Sequence, residues 1–98
     1  MTHEDDRRIL ESWPEAKIIT AKEDCVLGNH YHKVKTEKFI VSSGYVVLKI
    51  NGNEPQIMEV GKIYTVNPNE KHEFKMEQGS VMIGLCSQTF NHNDDFKD

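Results

Sequence analysis

From residue 16 onward, short apolar and β-branched runs alternate with polar positions, the period-2 pattern of half-buried strands. The pattern predicts strands over 16–21, 29–34, 37–42, 45–50, 56–60, 63–66, 72–76 and 81–86. Turn residues separate them. Asn51-Gly52 is the strongest, because a two-residue hairpin turn needs positive φ at both positions. Gly61, Pro68-Asn69 and Gln78-Gly79-Ser80 punctuate the rest. Within the strands Glu37, Phe39 and Val41 share one face, as do His72, Phe74 and Met76. Ahead of this region, residues 2–12 are polar and predict a short helix, with Thr2 as N-cap and Asp5 in the capping-box position. Trp13-Pro14 ends it, and Trp13 is expected to pack on the barrel. The polar, acidic tail from Asn91 is expected to fray. Many short strands at close spacing define an all-β sandwich or barrel, here one domain over 1–98 with its barrel at about 16–90.

Composition narrows the partners. Twelve basic against sixteen acidic residues leave a net charge of −4, which speaks against nucleic acid and anionic membranes. No apolar run approaches the roughly 20 residues of a membrane-spanning helix. The charged opening Met1-Thr2-His3-Glu4-Asp5-Asp6 has no apolar stretch behind it, and a cytoplasmic location is expected. Cys25 and Cys86 form no CxxC pair and are expected as free thiols. With only 37% apolar residues in a 98-residue chain, a bound metal or a partner subunit would help stability. Strand edges such as residues 16–21 predict a homodimer.

The candidate chemistry starts at His30-Tyr31-His32. On a strand, residues i and i+2 point the same way, so two imidazoles aim into one space with Tyr31 behind them. Glu37 follows across a short connection, and His72 opens a strand whose other inward residues are apolar. Imidazoles with one carboxylate suit a divalent ion such as Zn, Fe, Mn, Ni or Co. Taken alone, an HxH pair is more often two surface histidines than a metal site, and His3 and His92 are ordinary terminal residues. Lys33, Lys35 and Lys38 could meet a phosphate, although a solvated strand edge explains them better. Tyr45, Tyr64, Phe39, Phe74, Met58 and Met82 could wall a pocket, and at strand spacing most of them are core.

The spacing is what resembles a known family, the cupin superfamily. Its first motif runs HxH, three or four residues, Glu, six residues, Gly; here stand His30-Tyr31-His32, four residues, Glu37, six residues and Gly44. Its second runs Gly, five residues, Pro-x-Gly, two residues, His; here Gly61 precedes Asn67-Pro68-Asn69 and His72. The departures are at loop positions: Asp24 for the opening Gly, Asn67 for Pro, Asn69 for Gly and Met76 for the closing Asn. Asn69 is the non-glycine residue best able to take positive φ. The resemblance implies a cupin double-stranded β-helix (jelly-roll) barrel. It also implies one divalent metal ion (Zn, Ni, Mn or Fe) on His30, His32, Glu37 and His72.

A finer resemblance joins Gly28-Asn29-His30-Tyr31-His32 and Lys35-Thr36-Glu37-Lys38-Phe39 to cupin domains of bacterial surface-polysaccharide sugar biosynthesis. The ending Ser87-Gln88-Thr89-Phe90 with Asp94-Asp95 looks like the tails of sugar isomerase cupins. This implies isomerisation or epimerisation of a sugar phosphate or nucleotide-sugar, with Glu37, Tyr64 or a metal-bound water as base. Two alternatives stay open: a non-catalytic module that binds metal or ligand, and an Fe(II)-dependent dioxygenase-type cupin.

Overall fold

The computed structural model describes residues 2–13, 16–87 and 96. Ten strands run through them: β1 (Thr2–Glu4), β2 (Arg8–Trp13), β3 (Ala16–Ala21), β4 (Cys25–His30), β5 (Glu37–Ser43), β6 (Val46–Ile50), β7 (Gln56–Ile57), β8 (Ile63–Val66), β9 (His72–Met76) and β10 (Val81–Cys86). They form two antiparallel sheets, one in the order β1-β2-β3-β10-β5-β8 and the other β4-β9-β6-β7. The strand alternation in the sequence appears as alternating burial. Glu37, Phe39 and Val41 of β5 face inward with His72, Phe74 and Met76 of β9, while Lys38 and Lys75 face out. Phe39, Leu48, Met58, Met76 and Met82 fill the space between the sheets and are fully buried. Each such side chain contributes about 1.5–3 kcal/mol by leaving water.

Residues 2–12 are a hairpin rather than a helix. The Asp5 carboxylate, placed by sequence at a helix cap, accepts the backbone N–H of Arg7 at 2.8 Å and of Arg8 at 2.9 Å and so closes a turn. β2 then pairs along its whole length with β3, from Arg8 opposite Ala21 to Trp13 opposite Ala16. A six-residue ladder outweighs the marginal stability of an isolated short helix. It also covers β3, so residues 16–21 are internal between β2 and β10, and β1 is the edge of that sheet.

The Asn51-Gly52 turn forms as expected, with φ of 52° and 71° and Asn53 N–H bonded to Ile50 O at 2.9 Å. The returning strand is shorter than the predicted 56–60. It keeps β7 and a parallel bridge from Val60 to Val41. Tyr45 is 41% exposed and lies outside the core that holds the other aromatic and methionine residues singled out above. Both cysteines are free thiols. The expected packing of Trp13, the Pro14 break, His92, the polar tail from Asn91 and residues 88–90 lie outside the described residues. No helix among the described residues is long and apolar enough to cross a membrane.

Candidate metal centre

The cluster forms at one end of the space between the sheets. β4 ends on His30, directly opposite His72, which opens β9. The ladder shifts between Gly28 and His30, leaving Asn29 as an extra residue with φ 59°. His32 therefore does not continue the strand, as the HxH spacing predicted. It stands in the connection between β4 and β5, and the bulge turns it back toward His30. The two rings still meet, with centroids 4.7 Å apart. The turn after β8 anchors this connection, as Asn69 N–H donates to His32 O with Asn69 at φ 67°. Behind the site Tyr31 exchanges two backbone hydrogen bonds with Phe96 and stacks on its ring.

Replacing Asn29 tests the bulge. Asn29→Gly should leave metal binding and stability nearly unchanged. Asn29→Val should cost about 1–2 kcal/mol, because a β-branched residue is strained at positive φ. Urea unfolding of the two variants checks this.

The structure brings the four predicted donors together: one donor atom from each of His30, His32, Glu37 and His72 lies within 4.8 Å of every other. An ion with bonds of about 2.1 Å can close that span after small shifts. Glu37 Oε1 faces His32 Nε2 at 2.9 Å and His72 Nε2 at 3.6 Å. Buried as it is, this oxygen accepts no hydrogen bond of acceptable geometry. A buried carboxylate oxygen so placed among imidazoles is what a cation would satisfy. His72 Nδ1 lies 3.1 Å from Glu70 O, and a carbonyl only accepts, so the proton sits on Nδ1 and Nε2 is left to coordinate. Burial also lowers the pKa of His72 and favours the neutral ring that a metal needs. The residues present fit a divalent metal ion.

Several groups here were missed by sequence reasoning. Burial alone would raise the pKa of Glu37. The His32 imidazole and the Lys17 and Lys35 ammonium groups outweigh it and hold the carboxyl well below its usual range. Lys17 Nζ is 3.2 Å from Glu37 Oε2, Lys35 Nζ is 4.0 Å away, and the Cys86 thiol donates at 3.5 Å. Burial and the Glu37 carboxylate raise the pKa of Cys86, so it is a protonated thiol at neutral pH. Lys35 is 2% exposed, not a solvated edge lysine. Its neighbours in sequence behave as expected for exposed residues: Lys33 lies over the Phe96 ring at 4.4 Å, and Lys38 reaches Thr65 Oγ1 at 3.2 Å. Tyr64 is in the core. Its hydroxyl accepts from Glu59 N–H at 2.8 Å and donates to Ile57 O at 3.4 Å, which ties it to the β7 segment.

Residues 18–86 match the Cupin_2 family, described as a cupin domain, and the chain belongs to this family. The fold is shared with solved structures of low sequence identity. Against the capsular polysaccharide assembling protein CapF from Staphylococcus aureus the TM-score is 0.81 at 22% identity, covering 98% of this chain and 31% of that one. Against QdtA, a sugar 3,4-ketoisomerase from Thermoanaerobacterium thermosaccharolyticum in complex with TDP, it is 0.72 at 22% identity, covering 85% and 65%. Against KdgF from Halomonas sp. it is 0.77 at 15% identity, covering 95% and 91%. The chain thus spans about a third of CapF and under two thirds of QdtA. No curated protein sequence matches it.

Proposed function

We propose that this chain is a metal-dependent cupin acting on a keto or aldehydo sugar, as a sugar phosphate or nucleotide-sugar isomerase or epimerase. The observation that carries the metal half is the convergence of His30, His32, Glu37 and His72 around the buried Glu37 Oε1. Support for the sugar half comes from the sequence around His30 to Phe39 and from the likeness in fold to CapF and QdtA. A divalent ion bound there would supply Lewis-acid polarisation of a carbonyl or hydroxyl oxygen. The chain's own part is to hold three imidazoles and one carboxylate in place. Phe39 and Phe74 close the inner side of the cluster, with the Phe39 ring tilted against His72 at a centroid distance of 6.3 Å. The chain is further proposed to form one cupin domain that pairs as a homodimer, through an edge strand such as β1 and not through residues 16–21, which are internal; a monomer mass by light scattering at high concentration would overturn the pairing.

A second reading has its own support. Tyr64 spends its hydroxyl on backbone groups, and a carboxyl held as acidic as Glu37 accepts protons poorly. Both residues suit scaffolding and metal binding better than proton transfer, which favours a non-catalytic module that binds metal and a ligand.

Metal content after purification without a nickel column tests the site. Incubating metal-loaded protein with sugar phosphates and with UDP- or dTDP-keto-sugars in D₂O tests the chemistry. Deuterium at C2 or C3 by NMR is expected from an isomerase. No exchange with any of them would overturn the isomerase reading.

A further inference from the structure

The second oxygen of Glu37 points to the class of ligand. Lys17 is on β3 and Glu37 on β5, and β10 runs between them. Gly84 of β10 is the register partner of Lys17 on one side and of Phe39 on the other. A Cβ on Gly84 would stand 2.9 Å from Lys17 Cε and 3.0 Å from Phe39 Cε1. The missing side chain is therefore the lane along which the Lys17 stem crosses a whole strand. Its ammonium ends 3.2 Å from Glu37 Oε2 and 5.6 Å from the centroid of the Phe39 ring. A lysine that only needs solvent requires no such lane.

The consequence is electrostatic. Glu37 carries the one negative charge among the four donors, and the ammonium groups of Lys17 at 3.2 Å and Lys35 at 4.0 Å already balance it. A divalent ion entering on Oε1 brings two further positive charges into a shell whose other donors are imidazoles, which offer no negative charge to offset them. Buried charge without a counter-charge is costly. We propose that the site takes its metal together with an anion: the ligand presents a carboxylate or phosphate oxygen to the metal, and Lys17 selects it over a neutral polyol. This rests on the metal reading above and narrows its substrate class.

The test uses the full chain loaded with Co(II), whose visible absorption bands report changes at the metal. Acetate, inorganic phosphate and glycerol are titrated separately. Acetate or phosphate should shift the bands, and whichever binds tighter identifies the oxyanion. Glycerol should leave them unchanged at tenfold higher concentration. Lys17→Met should retain Co(II) and weaken the anion response at least about tenfold, since a neighbouring ammonium is a strong anion partner. Lys17→Arg should preserve the response. A role confined to positioning Glu37 would instead weaken Co(II) binding itself in Lys17→Met. Glycerol matching acetate, or Lys17→Met responding to acetate like the wild type, overturns the proposal. Should Lys17→Met fail to fold, the wild-type and Lys17→Arg titrations against glycerol still decide it. Failure of the wild type to bind Co(II) removes the metal site and this inference with it. Binding without anion preference removes the inference alone.

Discussion

His72→Ala is expected to abolish tight divalent-metal binding and to lower the melting temperature of the metal-treated protein by roughly 10–20 °C. The magnitude follows from linkage. A metal present at 100 times its dissociation constant stabilises the folded state by about 2.7 kcal/mol. For a domain of this size each kcal/mol moves the midpoint by roughly 4–8 °C. Losing a ligand should cost more than the roughly 10–100-fold lost with a group that merely orients one. His72 is buried, its Nδ1 is engaged by Glu70 O, and its Nε2 faces Glu37 Oε1, so no neighbour can take its place. His32→Ala should behave alike. With EDTA the gap between variant and wild type should shrink sharply, because the apo cluster itself is a burden of buried polar atoms. Thermal melts with and without EDTA, beside elemental analysis, check this. Wild-type metal content in both variants would remove these histidines from the site.

Much of this centre was legible because it is written in local spacing. Period-2 alternation gave β5 and β9 their inward faces, and two partial motifs put His72 in register with His30. Asn69 shows how a departure can be read physically: it takes φ 67° where the family motif has glycine. What failed to show in sequence depends on which strands become neighbours. The hairpin of β1 and β2 exists because β3 offers an open edge, which no property of residues 2–12 announces. Lys17 and Cys86 meet one carboxylate oxygen only because β3, β10 and β5 are adjacent in the sheet, and Lys35 joins them from the connection just before β5. The role of Gly84 follows only from its two register partners, Lys17 and Phe39, which lie far from it in sequence. The HxH pair succeeded for an incomplete reason. Its convergence comes from a bulge at Gly28 and Asn29 and not from a continuous strand.

Gly44→Ala should destabilise the fold by at least about 3 kcal/mol, a large share of the 5–15 kcal/mol that holds a domain together. Gly44 joins β5 to β6 at φ 93°, where an L side chain costs about 1–2 kcal/mol. The larger obstacle is Ser80. An added Cβ would sit 2.6 Å from Ser80 Cα, and closer still to its Oγ. Ser80 cannot withdraw, since it is fully buried and its Oγ both accepts from Tyr45 N–H at 2.9 Å and donates to Tyr45 O at 3.0 Å. Pushing it aside would add overpacking of about 1–3 kcal/mol and expose those hydrogen bonds to loss. Because the backbone Cα is also in the way, Ser80→Ala in the Gly44→Ala background should restore nothing. Full recovery would show that the hydroxyl is the whole obstruction. Gly52→Ala is the control: it has positive φ but nothing within 4 Å of the added atom, so only the backbone cost of about 1–2 kcal/mol remains. Urea unfolding in EDTA measures all three variants free of metal. The folded fraction of Gly44→Ala should still bind metal with wild-type affinity, because Glu37 opens β5 and Gly44 follows its last residue. The two residues that the first motif holds seven positions apart would then separate cleanly, Glu37 serving the ion and Gly44 the packing of the turn against Ser80.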